Sequence, residues 1–170
     1  MGASGAIIMG FFGAIFAAVT LALPLDVRGV ILATPFAVFA AILVAALAII
    51  RRPGPRLALS PAAERVVMWS TIAEGIGIPV AIELVVNFGH AAWELPAIAL
   101  IVGLHFLPIA RATALGAFYL LGGALVAAAI VGAALAPPIG PIIAGAAAAT
   151  ALWLAAIAAV RREARFKQLS

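Results

Sequence analysis

Two side chains that could do acid–base chemistry, Glu74 and His105, lie inside long apolar runs of this sequence. A carboxyl and an imidazole can exchange a proton or bind the polar group of a small molecule. A charged group inside an apolar helix costs about 3 kcal/mol even on a lenient scale, so it is a candidate for function. If antiparallel helices join at a turn near residue 91, Glu74 and His105 come to nearly the same depth.

Two further polar residues extend this pair to a predicted pocket. Thr71 lies one helical turn before Glu74, and Tyr119 is expected at a similar depth in the next helix. The predicted pocket therefore consists of Glu74, His105, Tyr119 and Thr71. It could bind a small polar or amphipathic ligand or relay protons. The alternative is that these groups satisfy one another and fix the register of the helices.

A second polar group is predicted beside the connecting turn. Glu83, Asn87 and His90 follow one another at spacings of four and three, which places them on one helix face. Glu94 follows shortly after the turn. These four residues form a predicted outer polar cluster, through which we expect the pocket to open. Because polarity costs little near a membrane surface, a purely interfacial role is the alternative.

Other site chemistries find no support in the sequence. The chain has two histidines and no cysteine, which excludes disulfides and thiolate chemistry. The histidines and carboxylates show no recognisable metal-binding spacing, no glycine-rich phosphate loop follows a strand, and no serine has a His–Asp arrangement. We therefore expect no metal, no cofactor and no catalytic residue that can be named.

The composition of the chain predicts the helices that carry these polar residues. Of the 170 residues, 67% are hydrophobic and 9% are charged. A soluble domain of this size could not bury so much apolar surface. The sequence therefore predicts an all-α integral membrane protein, a single compact bundle of six transmembrane helices with the lipid bilayer as its main partner. Helix breakers divide the chain into spans of about 6–23, 30–50, 61–88, 95–110, 112–135 and 139–160.

Charge gives the predicted orientation. The formal net charge is +4, and the basic residues lie between and after the apolar runs, which indicates contact with anionic headgroups and no nucleic acid. Basic residues concentrate in the segment 51–65, at Arg111 and after Val160, whereas Arg28 lies beside Asp26. The positive-inside rule then predicts that both termini are cytoplasmic.

Small residues recur every four positions along the first apolar run, at Ala6, Gly10, Ala14 and Ala18. Such a stripe lets helix backbones approach closely. One interpretation is the interface of a homo-oligomer, and the other is packing within a single bundle.

The fourth run contains a motif formed by Gly103, His105, Phe106, Leu107 and Pro108. It resembles a family of small bacterial membrane proteins with six spans and a G-x-H-(F or Y)-L-P motif in the fourth. The resemblance implies the six-span architecture and a multi-pass protein of the bacterial cytoplasmic (inner) membrane. It also strengthens the expectation that His105 is a site residue. The family brings no established activity with it.

Three functions remain open from the sequence. The first is a small-molecule or proton-coupled transporter with its polar pocket between the third and fourth helices, where Pro79 and Pro108 would interrupt the helices that line the site. The second is an intramembrane enzyme acting on a lipid, which the scarcity of convergent polar groups disfavours. The third is a lipid-binding accessory protein.

Overall fold

The structure is a computed structural model that describes residues 2–55 and 58–169. The described residues form six long α-helices and no β-strand. All six helices are long and apolar enough to cross a membrane, which indicates a multi-pass membrane protein and confirms the predicted number of helices. The helices are α1 (Ala3–Ala22), α2 (Thr34–Arg51), α3 (Pro61–Asn87), α4 (Glu94–Thr113), α5 (Gly116–Ala134) and α6 (Ile139–Leu169).

The helix boundaries follow local chemistry. The Ser60 hydroxyl oxygen accepts a hydrogen bond of 3.2 Å from the backbone N–H of Ala63, and Pro61 occupies the first turn, so α3 begins where the sequence predicts. Short 3₁₀ segments, Gly29–Ala33 and Ala91–Trp93, lead into α2 and α4. Of the predicted basic loop after α2, Arg56 lies outside the described residues.

Four helices form the centre of the bundle and two lie at its edges. α6 packs against α1 on one side and α5 on the other, and α4 packs on α5. The edge helix α2 packs on α1, and the edge helix α3 packs on α4. In the apolar 18-residue segment of α3 only 6% of the residues are buried, against 44% for α1 and α4. The outer surface of α3 is therefore free of contact with the other described parts of the chain.

Glycines lie where central helices touch through their backbones. A Cβ atom added to Gly122 of α5 would lie 2.8 Å from the carbonyl oxygen of Gly103 in α4. A Cβ added to Gly103 would lie 3.0 Å from the carbonyl oxygen of Gly122. The glycine of the Gly103–Pro108 motif is thus a packing residue.

The stripe on α1 is used in the same way. Ala6 and Ala14 are fully buried inside the bundle, and a Cβ on Gly10 would lie 3.0 Å from Ile42 of α2. These contacts match the interpretation of the stripe as packing within one chain.

α6 extends nine residues beyond the predicted end at Val160, through the basic tail. The buried Glu163 carboxylate accepts a 2.6 Å hydrogen bond from the backbone N–H of Ala3, at the start of α1. Lys167 donates to the carbonyl oxygen of Ile49 at the end of α2 and lies 3.7 Å from Glu163. A carboxylate at a helix N-terminus and an ammonium at a C-terminus are both stabilising, so the tail is folded because it joins α1, α2 and α6.

We expect Gly122→Ala to destabilise the protein by about 1–3 kcal/mol, because the added methyl group collides with the backbone of α4. Gly123→Ala is the matched control: nothing lies within 4 Å of a Cβ at that position, and alanine favours the helix. Thermal unfolding in detergent micelles compares the two variants. Equal melting temperatures for both would contradict the proposed backbone contact.

Candidate functional site

α3 turns a carboxyl group toward the bundle at its midpoint. All residues of α3 are described, and its buried residues are Ala63 and Glu74. Glu74 is thirteen residues from each end of the helix, about 20 Å along the axis. An acidic residue buried at this point, on a helix whose apolar side chains largely point away from the bundle, needs a partner on α4.

That partner is His105. Its Nδ1 atom lies 3.6 Å from Oε2 of Glu74, and the two side chains are only 9% and 10% exposed. The two groups, which the sequence places at a similar depth, thus face each other across α3 and α4. The separation exceeds a hydrogen-bond distance, and the buried Nδ1 has no hydrogen-bond partner among the described residues. The pair is close enough to interact electrostatically and still has an unused hydrogen-bonding atom.

A cavity of about 240 Å³ lies beside the pair, between α3 and α4. Ser70, four residues before Glu74 on the same helix face, brings a hydroxyl to it. Pro108 lacks an N–H, so the carbonyl oxygen of Leu104 loses its usual helical donor. Polar groups therefore meet in a cavity whose remaining walls are apolar: the lining residues are Ser70, Ala73, Glu74, Gly77, Ile101, Leu104, His105 and Pro108.

The cavity opens along the side of the bundle. Three of its lining residues, Ala73, Leu104 and Pro108, are exposed on the outer surface. Gly77 keeps α3 close to α4 above the pair, since a Cβ there would lie 3.1 Å from Ile101. Access from the side suits a ligand that reaches the site through an apolar medium.

Thr71 and Tyr119 do not line this cavity. Thr71 is exposed on α3, one position beyond the face that carries Ser70 and Glu74. Tyr119 is 49% exposed on α5, which packs against α4 and α6, whereas α3 packs against α4. The expectation that both join Glu74 and His105 in one pocket is therefore corrected. Ser70 was missed because both a three-residue and a four-residue spacing place a side chain near Glu74.

The four residues of the predicted outer polar cluster lie apart from the cavity. Asn87 donates a long hydrogen bond of 3.5 Å to Glu83, and the His90 ring stacks on Trp93 at 4.6 Å between centroids. Glu94 borders a different cavity, of about 320 Å³, at the end of the bundle near Pro24 and Pro137. None of these four lines the cavity beside Glu74 and His105, so the cavity does not open through them.

Metal binding has no geometric basis in the described residues, where no group of three histidine or acidic side chains is placed to hold an ion. The pair of Glu74 and His105 provides two donors, fewer than the three protein ligands that even an open zinc site uses.

The Glu74–His105 interaction predicts energetic coupling. In a double-mutant cycle, Glu74→Gln and His105→Asn should deviate from additivity by about 0.5–1.5 kcal/mol. Glu83→Gln is the control on the same helix, about 13 Å farther along the axis, and its cycle with His105→Asn should be additive within about 0.5 kcal/mol. Steric-trap or thermal unfolding measures both cycles. Additivity in the first cycle would mean that the two groups do not interact.

The chain matches no protein-family model, no curated protein and no solved structure. The family resemblance of the Gly103–Pro108 motif therefore stays a prediction.

Proposed function

We propose that this protein is a small transporter of the cytoplasmic membrane that binds an amphipathic organic cation at Glu74 and His105 in exchange for a proton. The observation that carries the proposal is a buried carboxyl–imidazole pair beside a cavity that opens on the apolar side of the bundle.

The charge distribution supports the membrane orientation. Ala3 contacts Glu163, so the start of α1 and the last turns of α6 lie at one end of the bundle. Every described basic residue except Arg28 also lies at that end, at or just after the ends of α2, α4 and α6 or near the start of α3. By the positive-inside rule this is the cytoplasmic side, with both termini inside.

Charge balance determines what the site can bind. A net charge buried between apolar helices is costly, so the ligand-free pair should hold one proton in total. The proton sits either on Glu74, with His105 neutral, or on His105, with Glu74 ionised. Both arrangements have zero net charge. A ligand that replaces the proton without creating a net charge must itself carry one positive charge.

The surrounding groups favour an amphipathic ligand. The Ser70 hydroxyl and the Leu104 carbonyl oxygen can orient a cationic head beside the Glu74 carboxylate. Ile101 and Pro108 provide apolar walls that suit a hydrocarbon tail. Entry from the side of the bundle means that the tail stays in an apolar medium throughout binding. Because the cation and the proton exclude each other, the site meets the minimal requirement for proton-coupled transport.

Binding of hexyltrimethylammonium to the purified protein in detergent micelles tests this function. We expect isothermal titration calorimetry to show one proton released per cation bound, and the affinity to fall as the pH falls. The decrease should approach tenfold per pH unit where the free pair holds its one proton and the cation-bound pair holds none.

Glu74→Gln should abolish this binding, since the amide cannot provide the negative charge, whereas Glu83→Gln should bind as the wild type does. Retention of binding by Glu74→Gln would disprove the proposed site. Binding without proton release would disprove the exchange and leave only a passive cation site.

A further inference from the structure

A further groove, larger than the two cavities described above, lies on the side of the bundle formed by α5 and α6 and shares no lining residue with the cavity beside Glu74 and His105. Its volume is about 390 Å³, with Ala117 and Ala124 contributed by α5 and Ala151 and Ala158 by α6. Its wall is almost entirely apolar, and Arg162 is the one charged residue among its lining residues in the described chain.

The shape of this groove suits a straight hydrocarbon chain. Half of its lining residues are alanines, whose small side chains leave room between the two helices. Leu120 and Leu154, which are 77% and 62% exposed, rise at its sides. From Ala151 to Arg162 the groove follows α6 for about 16 Å, close to half of the roughly 30 Å hydrocarbon thickness of a bilayer. The groove therefore has the length of one leaflet.

The charged residue at the end of the groove indicates which kind of lipid headgroup would bind there. Arg162 lies at the end of the bundle where the basic residues gather, and Arg161 and Arg165 are exposed beside it. A guanidinium binds phosphate oxygens well because its N–H groups form a planar fork. An acyl chain along the alanines would bring a lipid phosphate to the depth of Arg162.

We propose that this groove is a binding site for one anionic phospholipid of the cytoplasmic leaflet, with an acyl chain between α5 and α6 and the phosphate on Arg162. The site is separate from the Glu74–His105 pair, so it stands whether or not the protein transports a cation.

Native mass spectrometry with phosphatidylglycerol and phosphatidylcholine of identical acyl chains tests this site. The wild type should bind one phosphatidylglycerol in preference to phosphatidylcholine. Arg162→Gln should reduce that preference about fivefold or more, whereas Arg161→Gln, which changes the charge equally outside the groove, should reduce it less than about twofold. Equal losses in the two variants, or no preference in the wild type, would overturn the proposal.

A second variant keeps Arg162 and blocks the groove. Ala158→Leu fills the path of the acyl chain, and Ala147→Leu is the control, an exposed alanine of α6 outside the groove. Phosphatidylglycerol should raise the melting temperature of the wild type and of Ala147→Leu but not that of Ala158→Leu. Full stabilisation of Ala158→Leu by phosphatidylglycerol would show that the lipid binds elsewhere, whether or not Arg162→Gln folds.

Discussion

Helices that are apolar on every side gain little from the hydrophobic effect when they associate in lipid, because acyl chains are as apolar as leucine. Their association depends on van der Waals contact, which is greatest where backbones can touch. In this bundle that condition is met by Gly103 against Gly122, and by the buried alanines of α1. Bulky side chains such as Leu120 and Leu154 then point outward. The small-residue contacts therefore determine both the tight centre and the exposed apolar surface.

The same constraint explains where polar groups lie. A tightly packed centre has no room for a solvated charge, and the buried acidic side chains lie at the margins of the bundle. Glu163 is held at one end by Ala3 and Lys167. Glu74 is held by His105 at the loosely attached helix α3. The first arrangement joins three helices through a hydrogen bond to Ala3 and the contacts of Lys167, whereas the second leaves Nδ1 of His105 unused beside a cavity. That difference separates a structural ion pair from a candidate binding site.

The sequence predicts where the helices lie along the chain better than it predicts which helices and side chains contact one another. Apolar length, the Ser60–Pro61 start and the charge pattern suffice for six helices, because these signals are local. Similar distances from a turn near residue 91 place Glu74 and His105 at nearly the same depth, although they do not determine whether the two side chains face each other. Whether Ser70 or Thr71 lines the cavity depends on the rotation of α3 about its axis. Whether Tyr119 reaches the cavity depends on the faces of α4 against which α3 and α5 pack. Neither is encoded in local spacing. The helical tail after Val160 was missed because its stability comes from distant contacts.

Nuclear magnetic resonance of ¹⁵N-histidine-labelled protein in lipid bilayers can show whether a cation binds beside His105. The chain has two histidines, and the exposed His90 serves as the internal reference. Hexyltrimethylammonium should shift the ring nitrogen signals of His105, whose protonation and hydrogen bonding change as the cation replaces the proton, and leave those of His90 in place. Unchanged His105 signals at a saturating concentration of the cation would show that the cation does not bind beside His105.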